Sequence, residues 1–354
     1  ITALGVARAF QGLGAAGIMS VNAALVRVTY PRRLLARGIA LNAMVVAASS
    51  AAGPTVAGAI LAFADWTWIF LVNLPLGLLV LFGSLRYLPP NPLSDAPYDG
   101  LSAVLSILTF GLWFVGLDLL GHSGPMALGG ALFVSSLVIG FFFVRRQLRL
   151  PLPLLPVDLL RIPLFGLSIC TSICAFAASM MAIVALPFFL QNRLGFSAVE
   201  TGLLMTPWPL ALMVAAPLSA RLLERHPAGL LGGVGLAILA CGLVALGLLS
   251  TSPSHLDIGW RMAVCGFGFG LFQSPNNHTI LTSGPAQRSG GASGMLGTAR
   301  LIGQTSGAIA ASMLFSLFPN QGRVVMVVAA MLALTGAAVS LLRIGAAKRA
   351  GNRP

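Results

Sequence analysis

The stretch "SSAAGPTVAGAILAF" at residues 49–63 carries no charge and sets a proline inside a run that is otherwise apolar and helix-compatible. Small residues recur every four positions: Ser49, Gly53 and Ala57 form one line, Ser50, Pro54 and Gly58 the next. On a helix, residues four apart stack on one face. The segment therefore presents a smooth stripe that lets a neighbouring backbone come close. Pro54 removes one backbone hydrogen bond and bends the helix. A kinked, close-packed helix suits a seam that seals in one state and shifts in another. Ordinary packing of a membrane helix, where Gly and Pro are frequent, accounts for the same residues.

The surrounding chain decides the medium. Of 354 residues, 57% are hydrophobic and 8% charged, with mean hydropathy +0.93; soluble domains carry roughly 25% charged residues. A chain of this composition meets lipid. Runs free of Asp, Glu, Lys and Arg cover 38–64, 66–85, 123–144, 201–220, 227–254, 262–287 and 324–342. Each reaches about the 20 residues that cross a hydrocarbon core. A backbone in lipid must satisfy its own hydrogen bonds, so these runs are read as helices. Barrel strands would turn polar at every second residue, and these do not. The fold class is an all-α integral membrane protein. Eleven spans are predicted: 2–26, 38–62, 66–85, 101–120, 124–144, 165–190, 200–220, 229–250, 260–282, 290–317 and 324–343.

The net charge of +13 is scattered among short loops, whereas a nucleic-acid binder gathers it on one polar domain. It sorts by loop parity instead. Arg27, Arg32, Arg33 and Arg37 follow the first span, Arg86 the third, and Arg145, Arg146, Arg149 and Arg161 the fifth. Arg221 and Arg225 follow the seventh span, Arg288 the ninth, and Arg343, Lys348, Arg349 and Arg353 close the chain. The opposite loops hold Arg193, Arg261 and Arg323. Cytoplasmic loops carry the Lys/Arg excess, which puts residue 1 outside and the C-terminus in the cytoplasm. The proline-spaced "RLPLPLLPVDLLRIP" (149–163) reads as a cytoplasmic segment between two helix bundles. Cys170, Cys174, Cys241 and Cys265 lie in apolar runs and read as small packing residues, with no metal site. Ile1 already lies in an apolar run, with no initiator Met and no charged leader before it; the expectation is a chain cut at its N-terminus.

A few polar residues inside the spans carry the functional question. Arg8 opens "ARAFQGLGAAGIM" (7–19), with Gln11 one turn on and Gly12 thinning the helix. An ionisable residue within the membrane is a functional candidate; snorkelling to the outer interface is the alternative. Arg300 lies about ten residues into its span among Gly294, Gly297, Gly303 and Gly307, with Gln304 one turn further. It is read as the deepest charge of the chain, either facing a cavity or paired with a neighbour. "QSPNNHTI" (273–280) gathers Gln273, Asn276, Asn277 and His278 around Pro275. It either lines a polar cavity or caps the helix at the cytoplasmic interface. Asp118, near the outer end of its span, is the one acid that could sit in the bilayer. "GFGFG" (266–270) lacks a following Lys and reads as helix packing.

Several of these segments together are familiar. "ARAFQGLGAAGIM" resembles the fourth-helix motif of the major facilitator superfamily, with Arg8, Gln11 and Gly12 at matching places. "AAGPTVAGAIL" followed by "DWTWIFLVNLPLG" (65–77) resembles the antiporter motif of the fifth helix and its exit, though Ser49 and Ala57 stand where two glycines are usual. "PLLPVDLLRIPLF" (153–165) and "LPFFLQNRLGFSAVETGLLMTPW" (186–208) resemble the fourteen-helix drug/proton antiporter branch. The resemblance implies helices four to fourteen. Residues 1–88 would be the remainder of the N-terminal bundle and 89–148 two extra central helices with their linker. A six-helix C-terminal bundle would fill 149–345, and 346–354 would be a cytoplasmic tail. It implies proton-coupled export of drugs or other lipophilic molecules by alternating access around a midplane cavity. The protein would be a monomer in a bacterial cytoplasmic membrane, with no cofactor beyond the proton gradient. Arg8 and Gln11 would couple protonation to the conformational change. Gly12 would thin its helix for gating, Gly53, Pro54 and Gly58 would form the sealing seam, and Arg300 would face the cavity or support it from the second bundle. Trp113, Phe176, Trp208, Phe272, Asn276 and Gln304 are the candidate cavity residues. On this reading the proton-carrying acid lies upstream, and the 354 residues alone sustain no gradient-driven efflux. A metabolite or siderophore exporter on the same scaffold, and a non-transporting membrane protein, are the other readings. A membrane enzyme would gather histidines or acids at one depth, and the four histidines fall in separate segments.

Overall fold

The computed structural model describes residues 2–65, 67–88, 99–121, 125–151, 153–250, 252–285, 288–318 and 322–351. Some helical side chains, including those of Pro54 and Gly58, lie outside the described set. All regular elements among the described residues are helical. The first four are α1 (Thr2–Thr29), α2 (Leu35–Phe63), the short α3 (Trp68–Leu71) and α4 (Asn73–Tyr87). A hairpin follows, α5 (Gly100–Gly121) and α6 (Met126–Gln147). The remainder comprises α7 (Pro163–Phe188), α8 (Ala198–Met205), α9 (Pro207–Leu222), α10 (Ala228–Gly247), α11 (His255–Ser283), α12 (Ser289–Leu317) and α13 (Gly322–Gly351). Counting α3 with α4 and α8 with α9, these are the eleven segments expected from the sequence.

Local chemistry sets the ends. Pro163 opens α7 at its first turn, where a missing N–H is harmless. Pro187 lies near its end, and the chain widens there into a π turn at Phe189–Arg193. Gly195, at φ 75°, then supplies the left-handed step. Ser197 and Glu200 close a capping box on α8: the Ser197 hydroxyl accepts from Glu200 N at 3.2 Å, and Glu200 Oε2 accepts from Ser197 N at 2.8 Å. Pro207 separates α8 from α9. α11 begins five residues before its expected start. Ser254 Oγ accepts from Asp257 N at 3.1 Å, and Asp257 binds Arg261 one turn on at 2.9 Å, so a polar first turn is fully partnered. α13 runs on to Gly351, into the segment read as a tail.

The helices from α7 to α13 form a bundle around a main apolar core running from Ala175 and Met181 to Leu239, Phe272 and Ala333, with a second cluster of Leu159, Phe165, Ile169, Ile280 and Met295 beside the linker. Glycines set its tightest crossings. A Cβ at Gly268 of α11 would meet Gly235 O of α10 at 2.6 Å. One at Gly266 would collide with the Trp208 backbone of α9, and one at Gly270 would meet Ala215 Cβ at 2.8 Å. The "GFGFG" segment thus alternates faces, two glycines toward α9 and one toward α10. Gly303 and Gly307 of α12 abut the α7 backbone at Ile173 and Ala177 in the same way.

The α5–α6 hairpin leans on α12. Its base is polar. Arg146 reaches Asp99 at 3.0 Å, Gln147 Nε2 donates to Ser102 Oγ at 2.7 Å, and Leu155 N donates to Gln147 Oε1 at 3.1 Å. The Ser102 hydroxyl and amide, helped by Arg146, hold the Asp99 carboxyl down at about 2. The linker beyond it is tied to the bundle by Asp158, which binds Arg288 through both carboxylate oxygens. That pairing lowers the Asp158 pKa and raises that of Arg288. α2 lies along α9, and α1 touches α12.

Candidate functional site

Between α2 and the bundle lies a cleft of about 310 Å³. Helical spacing builds it. Phe176, Ser179 and Ile183 come from one face of α7 at i, i+3 and i+7. Met262, Phe269 and Gln273 line it from α11 at i, i+7 and i+11. Arg300 and Gln304, one turn apart, come from α12; Trp208 and Leu212 from α9; Val46 from α2. The Arg300 guanidinium carbon stands 5.3 Å from the centre of the Phe176 ring. Phe176 in turn meets Phe269 edge-on at 5.3 Å. Arg300 Nε is buried without a hydrogen-bond partner. An apolar, aromatic wall with a few converging polar groups is the usual make-up of a small-molecule site.

Four of the expected cavity residues, Phe176, Trp208, Arg300 and Gln304, therefore share one cleft. The others fall elsewhere. Phe272 is fully buried behind Phe269, 5.8 Å ring to ring, on the side facing α10. Trp113 lines a separate apolar groove of about 500 Å³ between α5 and α6, packed on Phe133 at 4.9 Å. Asn276 is fully buried among α7, α11 and α13. Arg8 is exposed, donates to Gln11 Oε1 at 2.9 Å and stands 4.8 Å from the Phe70 ring centre. Gly12 and Gly53 have open space where a Cβ would stand, so neither marks a close helix crossing here. Pro54 and Gly58 lie within α2, but their side-chain surroundings fall outside the described residues. His278 lines a second, larger cleft of about 700 Å³ with Arg33, Arg37, Arg221 and Glu224.

One polar cluster escaped the sequence reading. Arg343, counted as a tail cation, is 1% exposed, whereas Arg300, read as the deepest charge, is only partly buried. The correction has a plain cause: α13 continues past the expected span end and turns Arg343 inward. Its Nη1 donates to Asn276 Oδ1 at 2.7 Å and its Nη2 to Thr279 Oγ1 at 2.8 Å. Asn276 Nδ2 donates to Ser172 Oγ at 2.7 Å, and Ser340 Oγ donates to Gly229 O at 2.9 Å. Bare backbone at Gly229 and Gly232 leaves the room: a Cβ at Gly232 would run into Ser340 Oγ. The sequence signal is the spacing Ser340 to Arg343 opposite "NNHT".

Eleven helical segments among the described residues, a tightly crossed bundle and a cleft on its seam define a multi-pass α-helical membrane protein. Residues 1–308 match the Major Facilitator Superfamily, and the chain belongs to it. It is 57% identical over 344 residues to the Uncharacterized transporter YebQ of Escherichia coli K12, covering 96% of this chain and 75% of that one. It is 32% identical to the Multidrug efflux pump LfrA of Mycolicibacterium smegmatis, covering 88% and 62%, respectively. It is 31% identical to the Multidrug resistance protein Stp of Mycobacterium tuberculosis, covering 87% and 58%. The chain thus spans three quarters of the first relative's length and about three fifths of the other two.

Proposed function

We propose that the protein exports lipophilic small molecules across a bacterial cytoplasmic membrane by alternating access, driven by the proton gradient, as an antiporter of the fourteen-helix branch. The observation that carries this reading is the cleft on the α2 seam, where aromatic side chains from α7, α9 and α11 face Arg300 and Gln304. A seam between helix groups is where rocking would open and close a site. The names of the mycobacterial relatives, an efflux pump and a resistance protein, point the same way. In this mechanism Arg8 and Gln11, already hydrogen-bonded to each other, couple protonation to the movement. Gly12, Gly53, Pro54 and Gly58 let α1 and α2 shift. The protein acts as a monomer without a cofactor, its C-terminus in the cytoplasm.

The test is efflux from inverted membrane vesicles containing the protein expressed from its complete reading frame. A lipophilic dye should accumulate when the vesicles acidify and leak away when a protonophore collapses the gradient. Trp208→Ala should lower the initial rate at sub-saturating dye about tenfold, matching about 1.4 kcal/mol of lost aromatic contact. Dye movement that ignores the gradient would sink the antiport reading.

A further inference from the structure

The charge distribution along this seam narrows the substrate class, on the assumption that the cleft is the transport site. Among the described residues, Arg300 is the only ionisable one lining the cleft. The chain has eight acidic residues. Asp99, Asp158 and Asp257 bind Arg146, Arg288 and Arg261. Glu200 caps α8. None of the other described acids lines the cleft. The cleft is therefore a cationic site with no counter-charge of its own among the described residues.

The guanidinium is also poised for a ligand. Its carbon lies over the Phe176 ring, 5.3 Å from the centre, and its Nε is buried without a partner. A planar guanidinium offers a carboxylate, sulfonate or phosphate two parallel donors. Gln273 and Gln304 add neutral amides on either side.

The approach from the cytoplasmic end has the same sign. α2, α9 and α11 line both this cleft and the larger one nearer the cytoplasm. On α11, His278 of the outer cleft follows Gln273 of the inner one by five residues, about 7.5 Å of helix. The outer cleft presents Arg33, Arg37 and Arg221 against the single acid Glu224. A funnel of one sign between low-dielectric walls concentrates ligands of the opposite sign. A lipophilic cation entering here would meet like charge at the mouth and again at the binding site, where the medium screens poorly.

We propose that this site selects lipophilic anions. An aromatic or alkyl body would lie against Phe176, Trp208 and Phe269, and its acid group would sit on Arg300. Arg33, Arg37 and Arg221 would gather such molecules from the cytoplasm.

The experiment uses protein from the complete reading frame in phosphatidylcholine nanodiscs. Equilibrium dialysis compares three probes of one shape: naphthalene-1-acetate, naphthalene-1-acetamide and naphthalen-1-ylmethylammonium. The acid should bind at least about tenfold more tightly than the amide, as a charge-assisted hydrogen bond provides. The amine should bind most weakly. Arg300→Gln should bring the acid within about twofold of the amide, and Arg300→Lys should restore most of the preference. Should Arg300→Gln fail to fold, the three probes on the unaltered protein still decide. Amide or amine binding equal to or tighter than the acid overturns the anion proposal and leaves transport standing. No binding by any probe, with no gradient-driven efflux of them, overturns both. Discs containing phosphatidylglycerol separate cargo from lipid: displacement of the acid by that lipid would assign the site to a headgroup and overturn the substrate proposal.

Discussion

Asn276→Ala is the sharpest test of how the bundle is held together around Arg343. The side chain is fully buried and bridges three helices: it accepts from Arg343 Nη1 at 2.7 Å and donates to Ser172 Oγ at 2.7 Å. Alanine removes one hydrogen bond to a buried charge, about 1.5–3 kcal/mol, and strands a serine hydroxyl, about 1 kcal/mol. Arg343 retains Thr279 Oγ1 at 2.8 Å and a long contact to Ser340 at 3.4 Å, so the guanidinium is weakened rather than abandoned. Hydrogen bonds inside membrane bundles are worth less than the simplest expectation, which places the total at about 2–4 kcal/mol. With roughly 2–4 °C per kcal/mol for a unit of this size, the thermal midpoint should fall by about 4–16 °C. Differential scanning fluorimetry in nanodiscs reads it. Arg343→Met is the partner measurement. It deletes the charge together with its bonds, and replacing a buried ion by an apolar chain is often mild. The double variant should therefore lose less than the sum of the singles. A shift under 1 °C for Asn276→Ala, or strict additivity in the double variant, would refute the bridging role.

Two further expectations rest on independent features. Gly266→Ala drives a methyl group into the Trp208 backbone and should cost about 1–3 kcal/mol and lower the yield of folded protein. Gly53→Ala, with open space around the new methyl, should change stability by under about 0.5 kcal/mol; equal losses at both positions would show that these crossings are not tight. Asp99 is held at about 2, below its ordinary 3.8, so its interactions stabilise the fold above pH about 4 and are lost as pH falls through about 2. The thermal midpoint of Asp99→Asn should thus lie below that of the unaltered protein at pH 7, with the gap closing towards pH 2. A gap that is constant with pH would remove the carboxylate from the account.

The number and order of the helices were legible because lipid leaves a backbone little choice. Caps and breaks were not: the span read as continuous over 200–220 is divided at Pro207 and capped by Ser197 and Glu200. The polar first turn of α11 read as loop, because Asp257 and Arg261 look like interfacial charges until their pairing is seen. The cleft was half legible. Arg300 and Gln304 stand out as polar residues in an apolar span, whereas Phe176 and Phe272 carry the same signal though only one lines the cavity. The angle at which α11 crosses its neighbours decides that, and it depends on which face each glycine of "GFGFG" presents. For the small-residue stripe at 49–63, spacing shows that a close approach is permitted, and among the described residues no atom stands within 4 Å of where a Gly53 Cβ would be.

The two inward arginines show why burial alone does not mark function. Arg343 is the more deeply buried, and neutral acceptors on its own bundle hold both of its Nη groups. Its Nε, like that of Arg300, is buried without a partner, but the acceptors on its Nη groups all come from α11 and α13 of one bundle. Arg300 is less buried, its guanidinium carbon stands 5.3 Å from an aromatic ring centre, and, unlike Arg343, it lines a cleft bounded by α2 from outside the bundle. A charge satisfied within one bundle stabilises that bundle in every conformation. A charge left unsatisfied at a seam gains most from whatever enters the seam, and its energy changes when the two sides separate. Mutating Arg343 should therefore move stability with little effect on ligand charge preference, while mutating Arg300 should do the reverse.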